Sequence, residues 1–281
     1  MIPFYGIGQY TGVEQIFYNQ ADFFASKKVN QIVIQGNNRF IFTLHENGHF
    51  KELIEHCSDS TVLAKSEFNN EGIKIYSASY DYECTGKLKS ETHFIYEGLL
   101  LTETRHKYQN ESYTTTTETL YDSLNRKVKH ITRGGPKNSI SYWDEYSYPN
   151  DSTMINLRVD QDSSLIYTGY SELNDSSQII RTTYFRDGFQ SARYDFDYTE
   201  KGILTKEIGF YYPSREMITR RTYYYDRKDR LIKLDAGTIN KKNYVVYKYD
   251  DDGFLIQSIK YDGDSISHTN YEYQKSSTRV D

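Results

Sequence analysis

Tyr249-Asp250-Asp251-Asp252-Gly253-Phe254-Leu255 recurs, loosely, as Tyr225-Asp226-Arg227-Lys228-Asp229-Arg230-Leu231. It recurs again as Tyr198-Thr199-Glu200-Lys201-Gly202-Ile203-Leu204 and as Tyr82-Glu83-Cys84-Thr85-Gly86-Lys87-Leu88. Each copy is an aromatic, an acid or hydroxyl, two free positions, a turn residue, a spacer and an aliphatic. That order suits a β-hairpin: strand-forming residues at both ends, and between them side chains that cap or tolerate a tight turn. Self-similarity of this kind ranks ahead of every other signal in assigning a fold.

Working outward, turn signals fall near Asn70, Thr85, Gly98, Asn110, Ser123, Gly135, Asn150, Asp162, Asp175, Asp187, Lys201, Ser214, Lys228, Gly237, Asp252 and Gly263. Gaps of about a dozen residues fit strands of 8–10 residues joined by short loops. The motif aromatics Tyr121, Tyr148, Tyr198, Tyr225 and Tyr249, with Leu173 in the equivalent place, lie two strands apart, so the motif marks mostly one end of the sheet. The fold class is therefore all-β, a long antiparallel up-and-down meander of some fifteen or more strands. It is either an open twisted sheet or one curled toward a barrel or shell.

Alternation supports this reading. Ala192, Tyr194, Phe196 and Tyr198 share one face, opposite Ser191, Arg193, Asp195 and Asp197. In the next strand Leu204, Ile208 and Phe210 share a face with Lys206, opposite Thr205 and Glu207. Before the meander, Val13 to Phe24 spaces its apolar residues at three and four, which predicts a short amphipathic helix. We divide the chain into an N-terminal segment, 1–30, and a single β-hairpin repeat domain, 31–281.

The composition suits pleated strands: 29 Tyr and 14 Phe against 4 Pro in 281 residues. A net charge of -5, with Lys+Arg 34 interspersed among Asp+Glu 39, supplies no basic stripe for nucleic acid. No apolar run approaches the ~20 residues of a membrane-spanning helix. A lipid-facing barrel is disfavoured too, because Arg220 and Arg221 put a cation on each face at mid-strand. Met1 to Gly8 lacks a signal-peptide pattern, so either the protein is intracellular or its export signal has been removed. Cys57 and Cys84 permit one disulfide, one metal pair or two inert thiols.

One string imitates a catalytic motif. His45-Glu46-Asn47-Gly48-His49 fits the zinc-hydrolase pattern, with Glu52, Glu55 or His56 as possible third ligand. The pattern needs a helix, whereas Asn-Gly is a poor helix centre and a strong hairpin centre. Glu46-Asn47-Gly48 also falls in register with Asp251-Asp252-Gly253, so we reject His45 and His49 as metal ligands. His93, His106, His130 and His268 are scattered over strands, and no convergent catalytic set or phosphate loop emerges. No cofactor is expected. Tyr142, Trp143 and Tyr146 are the candidate binding residues, as rings that give large contact area at low entropic cost. Degenerate repeat sequence from Gly134 to Ser177 marks the stretch where a site is expected.

Tyr247 to Leu255 and Tyr223 to Leu231 resemble the YD repeat of the rearrangement-hot-spot proteins, and Tyr121-Asp122-Ser123-Leu124-Asn125-Arg126-Lys127-Val128 is similar. The resemblance covers residues 40–275. It implies a secreted or envelope-associated bacterial protein, of a kind that includes lipoproteins, whose repeats build a β-sheet shell or a binding surface. The chain looks too short for a complete shell and lacks the family's cleavage region and fused toxin domain. The expected function is thus a non-enzymatic envelope or secreted scaffold that binds a protein or glycan, without spanning a membrane. The alternatives are a zinc hydrolase centred on His45 and His49, or an intracellular immunity-type partner of a toxin; a cytoplasmic location stays open.

Overall fold

The computed structural model describes residues 17, 20–36, 38–236 and 243–275. Helix α1 (Ala21–Ser26) precedes β1 (Val29–Gln35), β2 (Arg39–Leu44), β3 (Phe50–His56), β4 (Val62–Phe68), β5 (Lys74–Tyr80) and β6 (Leu88–Glu97). Next come β7 (Leu100–Tyr108), β8 (Thr114–Tyr121), β9 (Lys127–Gly134), β10 (Ser139–Asn150), β11 (Thr153–Asp160), β12 (Leu165–Leu173) and β13 (Ile179–Arg186). The last are β14 (Phe189–Tyr198), β15 (Leu204–Tyr211), β16 (Met217–Tyr225), β17 (Leu231–Asp235), β18 (Asn243–Tyr249), β19 (Leu255–Asp262) and β20 (Ser265–Lys275). Of the helix expected over Val13 to Phe24, residues 13–16, 18 and 19 lie outside the described residues, as does the turn expected at Gly237.

Every strand pairs antiparallel with its sequence neighbours, and β20 pairs back onto β1 through Ile32↔Tyr273 and Ile34↔Tyr271. The 20-stranded meander is therefore a closed up-and-down barrel. Closure leaves no strand edge with unpaired N–H and C=O groups. At a strand spacing of ~4.8 Å and a tilt of ~40°, a circular barrel of this strand number would be about 40 Å across, wide enough for an aqueous lumen.

The motif is the hairpin at one rim, here called the near rim. Asp226 N–H donates to the Arg230 carbonyl at 2.9 Å and Asp229 N–H to the Asp226 carbonyl at 3.1 Å, a type I turn closed by a left-handed residue. Asp229 takes that position at φ 59, Asn125 at φ 60, Gly202 at φ 78 and Gly253 at φ 96, which explains the preference for Gly, Asn or Asp. The motif acid caps the loop: Asp226 Oδ1 accepts from Lys228 N at 2.8 Å and Arg230 N at 3.0 Å, and Asp122 does the same for Leu124 and Arg126.

The motif tyrosine joins one repeat to the one before it. Tyr249 Oη donates to the Leu231 carbonyl at 2.9 Å, Tyr225 to Leu204 at 2.9 Å and Tyr273 to Leu255 at 2.8 Å. Tyr96, Tyr121, Tyr148 and Tyr198 make the same bond to Lys74, Leu101, Lys127 and Ile179. Arg230 stacks over the Tyr249 ring and Arg126 over the Tyr148 ring, at 4.5 and 4.3 Å. Tyr249→Phe keeps the ring and orphans a backbone acceptor, so a loss of about 1 kcal/mol is expected in urea unfolding; an unchanged midpoint would show the hook to be energetically idle.

Two expectations need correction. The Tyr82 copy lies at the opposite, far rim, where a longer loop closed by Asp81 N–H to the Lys87 carbonyl leaves the ring 83% exposed. A register shift after Leu204 (Asp197↔Lys206, then Tyr198↔Leu204) makes Thr205 a bulge. Leu204 consequently shares a wall with Glu207 and Gly209, while Lys206, Ile208 and Phe210 face the other way. The strand count, twenty among the described residues, agrees with the expected fifteen or more.

Helix α1, with Phe17 before it, packs on one face of β19, β20, β1 and β2. Phe24 meets Tyr273, Phe23 meets Phe254, and Phe17 meets Phe42 and Tyr271, at ring distances of 6.2, 4.8, 5.9 and 5.9 Å. With Ile32, Ile34, Leu44, Phe50, Phe68 and Leu255 these rings form the apolar core. That face is lumenal. Viewed with it forward and the near rim up, strand number rises to the left. The register from Ile32 through Phe42, Leu53, Ser66, Ser77, Thr92 and His106 to Thr115 slides down in the same direction. For right-handed strand coiling, this is the view from inside.

Candidate functional site

Away from the helix the lumenal wall is polar. Small side chains pair across strands: Ser79 with Ser90 at 2.7 Å, Thr104 with Thr117 at 2.6 Å, Thr119 with His130 at 2.9 Å and Ser171 with Thr182 at 2.9 Å. Such pairs satisfy each other without filling the lumen.

The wall's most enclosed charge is Asp144 on β10, 2% exposed. The hairpin centred on Asp151 sets Asp144 opposite Arg158 of β11. Arg158 Nε and Nη2 each donate to the carboxylate at 2.8 Å, in a bidentate fork. The guanidinium lies 4.7 Å from the Tyr142 ring and 5.1 Å from the Tyr167 ring. The track continues edge-to-face from Tyr167 to Tyr184 at 5.4 Å and from Tyr184 to Tyr194 at 6.1 Å. Two mid-strand glycines make room for it: a Cβ on Gly169 would lie 3.2 Å from the Tyr184 ring, and one on Gly209 2.7 Å from the Tyr194 ring.

Burial sets the titration of this wall. It pushes Tyr167 up to about 12, helped by the Asp144 charge, and raises Tyr146 and Tyr184 as well. Burial lowers Lys127 and His130, and Lys127 lowers His130 further. Two polar atoms are buried without a partner beside the pair, Thr132 Oγ1 and Asn156 Nδ2. Thr132 faces Tyr142, and Asn156 lies between Tyr146 and Gly169.

The three sequence-picked rings separate. Tyr142 and Tyr146 stand on the lumenal wall with Asp144, whereas Trp143 points outward, its indole donating to Glu145 at 3.0 Å beside Lys129. The outer wall carries ionic belts: Lys65 binds Glu52 at 3.0 Å and Glu67 at 2.8 Å, and Arg181 binds Asp195 at 2.8 Å and Glu172 at 3.2 Å. A second lumenal pair, Glu207 with Arg221 at 2.9 Å, stands beside Tyr223. Sequence reading missed Asp144 and Arg158. The signal was an acid and a base at equal distances from one turn.

His45 to His49 is a hairpin loop. His45 N–H donates to the His49 carbonyl at 2.8 Å, and Gly48 sits at φ 79 against the Ala21 carbonyl of α1. Of the possible third ligands, Glu52 pairs with Lys65, Glu55 accepts from Asn38 at 2.6 Å and His56 Nδ1 meets the Ser60 carbonyl at 2.8 Å. Among the described residues Cys57, Asp59 and Cys84 converge, but Cys57 and Cys84 form a disulfide and offer no thiolate.

No protein-family model and no curated protein matches the chain. Among solved structures it is similar to a porin-like protein from Bacteroides uniformis, at 9% identity over 88% of this chain and 98% of that one, with a TM-score of 0.36. It is similar also to TcdB2-TccC3-TEV, at 11% identity over 83% of this chain and 13% of that one, with a TM-score of 0.33. Neither likeness is strong enough to carry a functional conclusion.

Proposed function

We propose that the chain is a non-enzymatic binding scaffold of a bacterial envelope or secretion route, a barrel with water on both walls that does not span a membrane. One observation carries this reading: both walls hold ionic groups at mid-strand. Lys65, Arg181 and Asp195 stand outside, and Asp144, Arg158, Glu207 and Arg221 inside. A lipid-facing Arg or Lys near the bilayer centre costs ~2–4 kcal/mol, so neither wall suits hydrocarbon. No described helix is long and apolar enough to cross a membrane either. The Cys57–Cys84 disulfide supports an oxidising compartment over the cytosol of an immunity-type partner. The hairpin geometry of His45 to His49 removes the support for a zinc hydrolase. The division at residue 30 belongs to this reading, with helix α1 serving as a lumenal cover.

Vesicle flotation and planar-bilayer recording test it. Protein purified without detergent is expected to stay in the dense aqueous fraction and to give no channel steps. Flotation with vesicles, or stepwise conductance, would overturn the proposal.

A further inference from the structure

Building on the scaffold reading, we infer that the lumenal wall of β10 to β14 binds a neutral oligosaccharide, laid along the Tyr142–Tyr167–Tyr184–Tyr194 track and hydrogen-bonded by Arg158, Thr132 and Asn156. Three observations converge on this chemistry.

The first is the track itself. Its ring-to-ring steps of 5.4 and 6.1 Å are each comparable to the length of one hexose residue. The rings stand at 87° and 88° to their neighbours, so the track alternates apolar ring faces, suited to the C–H face of a pyranose, with ring edges suited to its rim. The second is charge. Arg158 is already neutralised by Asp144 in a two-point fork, so the wall presents a fixed, oriented guanidinium without net charge. An anionic chain would find no uncompensated cation here, whereas a hydroxyl group can accept from the part-exposed guanidinium of Arg158. The third is the pair of unpartnered polar atoms. Thr132 is 8% exposed and its hydroxyl has no internal partner; the Asn156 amide nitrogen is buried in the same condition, a few residues along the wall. Buried polar groups in folded proteins nearly always have a partner, so two orphans beside one aromatic track point to hydroxyls arriving from outside the chain.

A peptide fits less well. Extended peptides bind sheets by adding to a free edge, and the closed barrel has none.

The test is titration calorimetry on the intact protein, with cello-, malto-, xylo- and manno-hexaose as neutral probes. A heparin hexasaccharide and a tryptic casein digest are the anionic and peptide controls. At least one neutral hexaose is expected to bind, and its disaccharide to bind more weakly. Tyr184→Ala should raise Kd about tenfold or more, and Tyr184→Phe should keep binding because the ring remains. Thr132→Val is the fold-safe variant: it is isosteric and removes no internal hydrogen bond, so Tm should hold while Kd rises about threefold to tenfold. Tyr224→Ala, on the outer wall, should change nothing. The inference is overturned if none of the four hexaoses binds, or if binding is indifferent to both Thr132→Val and Tyr184→Ala. Binding of the peptide or heparin control alone, with the same sensitivity, would overturn the ligand class and leave the scaffold standing; channel steps in a bilayer would overturn the scaffold itself.

Discussion

Arg158→Met is expected to destabilise the barrel by about 3–5 kcal/mol, because it takes the hydrogen-bonded counter-charge from a carboxylate enclosed in the wall. The asymmetry of the pair makes the expectation specific. Asp144 is almost fully enclosed, while the Arg158 side chain is 34% exposed and reaches lumenal water. Losing the arginine therefore leaves a charge that cannot hydrate. Losing the acid, as in Asp144→Asn, leaves an arginine that can, and about 1–2 kcal/mol of lost hydrogen bonding is expected. The double variant Arg158→Met/Asp144→Leu removes both charges and should be more stable than Arg158→Met alone. Urea unfolding of the four proteins decides it; equal losses from the two single variants would refute the assignment of Asp144 as the buried member.

Reducing the disulfide should cost about as much. Cys57 and Cys84 are 27 residues apart in sequence and join the β3–β4 loop to the β5–β6 loop at the far rim. Cross-linking a loop of that length removes chain entropy from the unfolded state worth about 3.5 kcal/mol. Because the ladder already holds β3 to β6 together, the native state should change little. Cys57→Ser/Cys84→Ser is thus expected to fold to the same barrel with a lower unfolding midpoint. The same shift should follow from adding a reductant to the wild type and be absent when it is added to the variant. An unchanged midpoint in the double variant would show that the bridge contributes nothing to stability.

Several features of the candidate site were readable once the turns were placed. The turn at Asn150 folds Asp144 onto Arg158, and alternation along β10 sends Tyr142 and Tyr146 one way and Trp143 the other. The same reasoning turned His45 to His49 from a metal motif into a loop, since Asn47-Gly48 asks for a hairpin within five residues of chain. Other features resisted. The bulge at Thr205 reverses the facing of Lys206, Ile208 and Phe210, and it follows from how β14 and β15 settle together rather than from any residue in the string. Nothing in the motif announces that its tyrosine hydroxyl will bind a backbone carbonyl of the preceding repeat, a partner 18 to 22 residues away.

By itself, then, the sequence determined the all-β class, the antiparallel meander and the rim on which most motif copies lie. All three depend on local chemistry, where an Asp caps the next amides and a Gly, Asn or Asp accepts a positive φ. Only the tertiary structure decided that the sheet closes, that α1 covers the lumenal wall and that Asp144 is buried. Closure depends on twist and register summed over twenty strands until β20 meets β1, and burial depends on which side of that closed wall a residue faces. The tyrosines that read in sequence as turn markers thus do two jobs that sequence could not separate. One set, at the near rim, hooks each repeat to the last, and the other, from Tyr142 to Tyr194, lines the lumen.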